Sequence, residues 1–119
     1  MLKESKAIFF EDSVIPKALS YLTPIEIKAI TLGPFVFSKD KICEVTKNHE
    51  NIHWQQYIEL GIFGFVFLYF LYYLIGFNKY RNGLDAYLSI PFEQEAYTYQ
   101  RDFEYLENRK RFNWLKYEI

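Results

Sequence analysis

The spacing of hydrophobic and polar positions changes along this chain near residue 44. Residues 25–32 alternate in part between apolar and polar side chains, as strands do. Gly33-Pro34 is a turn signal, and Phe35-Val36-Phe37 predicts a second short strand. We therefore expect a small N-terminal β-hairpin within residues 1–43, which are otherwise irregular.

A long helix is predicted for residues 44–77, because no proline interrupts the chain between residue 44 and Pro91. Its second half, residues 60–77, contains no charge and no amide. As a helix this stretch would be about 27 Å long, close to the hydrocarbon thickness of about 30 Å in a bilayer. A helix that is apolar all round must be covered on every side.

The remaining segment, residues 84–119, is predicted to end the fold with a second long helix. Residues 84–90 are ambiguous, but Pro91 suits a first helical turn and Ser89 suits its N-cap. The amphipathic pattern then predicts a helix over about 92–116. Its candidate inward residues are Tyr97, Phe103 and Leu106. The expected fold is α+β, mostly α, in a single domain covering residues 1–119.

Composition narrows the possible functions. A formal net charge of -1 gives no electrostatic basis for binding nucleic acid, and one cysteine cannot form an internal disulfide. Ala7 to Phe10 is too short for a secretory signal, so a cytoplasmic location is expected unless the chain is membrane-associated or part of an assembly. Aromatic residues make up 21% of the chain, a large apolar area that a core, a partner or lipid must cover.

The candidate chemistry lies in His49-Glu50-Asn51-Ile52-His53, an H-E-x-x-H motif that holds both histidines of the chain. Residues four apart share one face of a helix, so both imidazoles can bind one metal ion. Glu50 lies about 100° further round and can reach a water at that ion. This pattern predicts a zinc site with a carboxylate base.

A third ligand is expected from Pro91-Phe92-Glu93-Gln94-Glu95-Ala96-Tyr97. H-E-x-x-H followed by F-E-x-x-A resembles the gluzincin metallopeptidases, and is most similar to their membrane-linked branch, whose second motif ends in E-x-x-A-D. The resemblance implies that His49, His53 and Glu93 bind one Zn²⁺ and that Glu50 is the general base. Residues 31–114 also resemble a group of short bacterial and phage proteins, which brings no established substrate.

Three site assignments remain open. Tyr97 stands where the family pattern has an aspartate that supports a ligand histidine. Tyr97 and Gln100, on the face of Glu93, are candidates to replace that support, or to donate to an oxyanion. Glu93 and Glu95 are about 200° apart on a helix, so only one of them can face the ion. The family pattern favours Glu93; Glu95 is the less favoured third ligand, and we expect it to be surface charge. Fe²⁺ is the runner-up metal, since two histidines and one carboxylate also bind non-haem iron.

His53 precedes residues 60–77 and Glu93 follows them, yet both are expected to bind the same ion. The chain must therefore return to its starting side after residue 77, which conflicts with an ordinary single membrane span. The helix could protrude into a partner assembly, enter a membrane in a tight hairpin or an oligomer, or bend at Gly61 or Gly64 and fold back as core. We expect a membrane, a protein partner or a second copy of the chain to cover it.

The predicted activity is zinc-dependent hydrolysis of a peptide or protein substrate. The strand at 35–37 is a candidate to bind that substrate by strand addition. The alternative is a non-catalytic module in which the metal stabilises a small fold and residues 60–77 bind a membrane or a larger assembly.

Overall fold

The computed structural model describes residues 7–12, 14–16, 29–32, 34–38 and 41–119, and these form an α+β fold that is mostly helical, as predicted. In chain order its elements are the strands β1 (Ile8–Phe10), β2 (Ala29–Leu32) and β3 (Phe35–Ser38), the helices α1 (Glu44–Tyr80), α2 (Gly83–Ser89), α3 (Pro91–Tyr99) and α4 (Tyr105–Asn108), and a 3-10 helix (Asn113–Lys116).

The sheet contains the predicted hairpin and one strand more. β2 and β3 pair antiparallel, with Ile30 opposite Phe37, while residues 25–28 lie outside the described residues. β1 pairs parallel with the other side of β3, so the strand order is β1-β3-β2. The prediction that this part of the chain is irregular was therefore wrong at Ile8–Phe10. β3 is paired on both sides, so its backbone has no free edge. The prediction that residues 35–37 bind a substrate by strand addition was therefore also wrong.

The long helix α1 bends sharply at Gly61. That residue has φ 74° and ψ 163°, a conformation open essentially to glycine alone. A straight helix of 37 residues would be about 55 Å long, whereas the longest extent of the molecule is 38 Å. Across the bend the rings of Tyr57 and Phe65 stack with centroids 3.9 Å apart. Of the two glycines predicted as hinges, Gly61 is the one at which the helix bends, but most large side chains of residues 62–77 are exposed rather than core.

The core lies between the two halves of α1 and α3. One cluster of buried residues joins residues 62–80 to α3 and the C-terminal segment: Tyr57, Phe65, Ile90, Phe92 and Trp114. A second joins residues 44–60 to α3 and α4: Ile52, Ala96, Tyr105 and Leu106. Burying such side chains stabilises the fold by about 1.5–3 kcal/mol each. These contacts hold α3 against the histidine motif.

The connection from α1 to α3 is helical. α2 begins after Asn82, whose side chain accepts a hydrogen bond from the backbone N–H of Asp85. Gly76 allows a close approach, since a Cβ there would lie 2.6 Å from Ser89 Oγ. Pro91 is in the first turn of α3 as predicted, but Ile90 rather than Ser89 is the N-cap.

The C-terminal helix is much shorter than predicted. α3 ends at Tyr99 because the buried Asn48 side chain donates to the carbonyl oxygens of Tyr99, Gln100 and Asp102, at 3.2, 2.8 and 3.1 Å. An amide from another helix thus binds carbonyls that a longer helix would use internally. Of the predicted inward residues, Leu106 is buried, whereas Tyr97 and Phe103 are exposed.

Candidate metal centre

The H-E-x-x-H motif and Glu93 meet in the interior. His49 and His53 lie one turn apart on α1, and Glu93 lies in the first turn of α3; all three are buried. Glu93 Oε1 is 3.2 Å from His49 Nε2 and 3.1 Å from His53 Nε2, and the two Nε2 atoms are 3.1 Å apart. Ligand bonds of about 2.0–2.1 Å in a tetrahedral zinc site place ligand atoms about 3.3–3.4 Å apart. This buried His-His-Glu group could therefore hold a metal ion.

The hydrogen bonds of Gln56 determine the tautomer of His53. The Gln56 amide nitrogen donates to the Phe92 carbonyl at 3.1 Å and to Glu95 Oε1 at 2.9 Å, which fixes the orientation of the amide. Gln56 Oε1 must therefore accept from His53 Nδ1–H, at 2.8 Å. A neutral His53 ring then directs its Nε2 lone pair at Glu93, as a metal ligand does.

His49 is oriented in the same way from another element. Its Nδ1–H donates to Gln100 Oε1, at 2.9 Å, just beyond the end of α3. Gln100 thus makes the supporting contact for which it was a candidate. Tyr97 does not make this bond: its ring packs against His49 with centroids 4.6 Å apart.

The electrostatics of this group favour a positive charge at its centre. Burial disfavours a charged His53, but the Glu93 carboxylate outweighs it and raises the pKa of the ring to about 9. Burial likewise opposes the charge of Glu93, yet both rings hold its pKa well below the usual range. Both shifts favour positive charge between His53 Nε2 and Glu93 Oε1, where a bound metal ion would take the place of a proton.

Tyrosines complete the surroundings of Glu93. Tyr69, from beyond the bend in α1, donates its hydroxyl to Glu93 Oε2 at 2.8 Å. That bond leaves Oε1 as the oxygen facing the rings, so Glu93 offers one ligand atom. The hydroxyls of Tyr87 and Tyr97 are 3.1 Å apart, and burial, together with the Glu93 charge, raises the pKa of Tyr87.

Glu50 is half-buried and lies within electrostatic reach of the centre. Its negative charge contributes to raising the pKa of His53 and, beside the larger effect of burial, that of Tyr97. A carboxylate is therefore present near the ligand histidines, on the helix turn that the motif predicts.

Glu95 is not a ligand, and the expectation that it is surface charge was wrong. Its side chain is fully buried on the other face of α3, where Arg109 Nε donates to Oε2 at 2.5 Å and Arg109 Nη2 donates to Oε1 at 3.0 Å. Arg109 also donates to both oxygens of Glu59, at 2.7 and 3.0 Å. A buried ion network, Glu59–Arg109–Glu95, thus supports the centre through Gln56.

Sequence reasoning missed Gln56, Tyr69 and Arg109 as parts of this arrangement. Gln56 follows His53 by three residues and so shares its helix face, a signal that could have identified it. Nothing local marks Tyr69 or Arg109, because both reach the site only through tertiary packing.

No family model, curated protein or solved structure matches this chain. The similarity to gluzincins and to short bacterial and phage proteins therefore stays a prediction from motifs. The structure brings His49, His53 and Glu93 together as a buried group that could hold a metal ion.

Proposed function

We propose that this chain is a zinc-dependent peptidase with Glu50 as its general base. The observation that carries the proposal is the convergence of two imidazole nitrogens and one carboxylate oxygen at 3.1–3.2 Å, with a second carboxylate on the same helix turn. Zinc is preferred to iron because an oxygenase has no use for that second carboxylate.

The ligand set fits zinc by its donor chemistry as well as its spacing. His49, His53 and Glu93 would hold the ion and leave one position open, as in catalytic zinc sites. When bound, the ion would polarise a peptide carbonyl and acidify a water. Gln56 and Gln100 keep the Nδ1 protons in place, so the Nε2 lone pairs stay available.

The proposed proton transfers use residues of this chain. Glu50 takes a proton from the attacking water and delivers it to the leaving amine nitrogen. Tyr97, half-exposed beside His49, is suited to donate its hydroxyl to the developing oxyanion. Its neighbour Tyr87 retains its proton because its pKa is raised, so it can donate to Tyr97.

Replacing Glu50 by glutamine tests the proposal. Zinc should remain at one ion per chain, while chelator-sensitive cleavage of a peptide library should fall by about 10²–10⁴-fold, the range for a lost general base. The control is Glu44→Gln, which changes an 80% exposed carboxylate in the first turn of the same helix and should leave cleavage intact. Undiminished turnover in Glu50→Gln would contradict the assigned base.

A non-catalytic module is the second candidate, and the exposed apolar face of residues 62–80 favours it. In that case the metal stabilises a small fold, and the exposed apolar face binds a membrane or a larger assembly. Removing the metal would then unfold the chain, and the metal-loaded protein would cleave no peptide. An Fe²⁺ oxygenase would instead be purified with iron.

A further inference from the structure

The second half of α1 has an apolar surface that no described element covers. One stripe, which includes Phe65, Tyr69, Tyr72 and Gly76, faces the protein. The other large side chains are exposed, Phe63 at 91%, Phe67 at 68% and Phe70 at 62%. The exposed apolar side chains of residues 62–77, called here the outer face, are Ile62, Phe63, Val66, Phe67, Phe70, Leu71, Leu74, Ile75 and Phe77.

The outer face is too large for an ordinary water-exposed surface. With about 150–250 Å² per large side chain, its exposed fractions leave on the order of 1,000 Å² of apolar area. The largest apolar patch on a typical monomer is about 300–600 Å². Only 11% of the most apolar 18-residue window of α1 is buried, and by length and composition this helix could cross a membrane.

The form of the outer face favours lipid over a protein partner. At 100° per residue its positions cover about 220° of the helix circumference, more than one neighbouring helix or flat surface can contact. Every exposed side chain on it is apolar, whereas protein interfaces carry a polar rim with hydrogen bonds. The nearest charges bracket it: Glu59 lies before the bend, and Lys79 and Arg81 follow Phe77.

We propose that the outer face inserts into one leaflet of a lipid bilayer, with the helix of residues 62–80 lying in the membrane plane. A spanning orientation is disfavoured because α2 packs along this helix and would carry the exposed Asp85 into hydrocarbon. In the flat orientation Lys79 and Arg81 reach phosphate headgroups, and the charged surface of the rest of the chain stays in water.

The proposed membrane contact lies next to the candidate metal centre, but it does not require that the centre be catalytic. Tyr69 is on the inner stripe of the same helix and binds Glu93. The centre thus lies one helix thickness from the proposed lipid surface, whether or not the chain hydrolyses peptides.

Vesicle flotation of the full chain tests the proposal. Wild type should float with phosphatidylcholine vesicles, and more of it with vesicles that contain phosphatidylglycerol. The double variant Phe67→Asp/Phe70→Asp should lower the bound fraction at least tenfold. Leu115→Asp, a control 64% exposed outside the outer face, should bind as wild type. Circular dichroism and metal content establish that each variant is folded.

Two results would overturn the proposal. One is equal flotation of the double variant and wild type. The other is a wild type that stays off vesicles and forms a dimer in detergent-free solution, dissociated by the double variant, because a second copy then covers the outer face. Glu50→Gln should float as wild type even if it is inactive, so failure of the membrane contact and failure of the catalytic proposal are distinguishable.

Orientation is tested separately with spin labels in a Cys43→Ser background. Phe63→Cys and Leu74→Cys are both exposed on the outer face and lie eleven residues apart, about 17 Å along the axis. A helix lying flat puts the two labels at similar depth in oxygen and nickel accessibility measurements. A depth difference approaching 17 Å would contradict the flat orientation.

Discussion

Gln56 connects the metal centre to the ion network, and replacing it by methionine should weaken both stability and metal binding. Methionine keeps the length of the side chain but removes its three buried hydrogen bonds. Glu95 Oε1 keeps a bond from Arg109, and the Phe92 carbonyl keeps its partner within α3, so one group loses its partner: His53 Nδ1–H. At about 1–3 kcal/mol for a buried unsatisfied group, the free energy of unfolding should fall by about 1–3 kcal/mol.

The metal affinity of Gln56→Met should fall together with its stability, because His53 loses the acceptor that fixes its tautomer. Losing such a supporting hydrogen bond weakens metal binding by about 10–100-fold. Urea unfolding of the metal-free protein measures the first effect, and competition with a chromophoric zinc chelator measures the second. The control is Gln100→Met, which frees His49 Nδ1–H where water can reach and should cost less on both measures. A Gln56→Met protein with wild-type stability and affinity would refute the tautomer argument.

Two further predictions concern stability. Arg109→Met leaves the buried carboxylates of Glu59 and Glu95 without their cation and should lower the free energy of unfolding by about 3–5 kcal/mol. Arg111→Met, at an exposed position, should change that free energy little, and equal urea midpoints for the two variants would contradict this prediction. Gly61→Ala should cost about 1–3 kcal/mol because alanine strains at φ 74° and ψ 163°. Gly64→Ala should instead raise the free energy of unfolding by up to about 1 kcal/mol, since its new Cβ meets Leu60 Cβ at an ordinary 3.4 Å. Equal changes in the melting temperatures of the two variants would contradict a bend at Gly61.

The ligand group could be anticipated from the sequence because each part has a local signal. The histidine pair is periodic on one helix, and Pro91 marks the start of the helix that carries Glu93. The β-hairpin likewise follows from an alternating pattern and a Gly-Pro turn. In these places local preference and tertiary structure agree.

The bend and the ion network could not be derived in the same way. Gly61 was one of two candidate hinges, and the stacking of Phe65 on Tyr57 across the bend is a tertiary contact that neither glycine signals in the sequence. Glu95 has the sequence context of a surface carboxylate, and its burial depends on Arg109, fourteen residues away. The early end of α3 depends on Asn48, a contact across more than fifty residues.

The central claim is that His49, His53 and Glu93 together bind one metal ion. Its most direct test is metal stoichiometry by elemental analysis of the purified chain, beside His53→Ala and Glu93→Ala. We expect about one zinc per wild-type chain and a loss of most of it in each variant, with circular dichroism showing that the variants fold. A wild type that takes up no zinc, or a folded Glu93→Ala variant that binds it as tightly as wild type, would contradict the account.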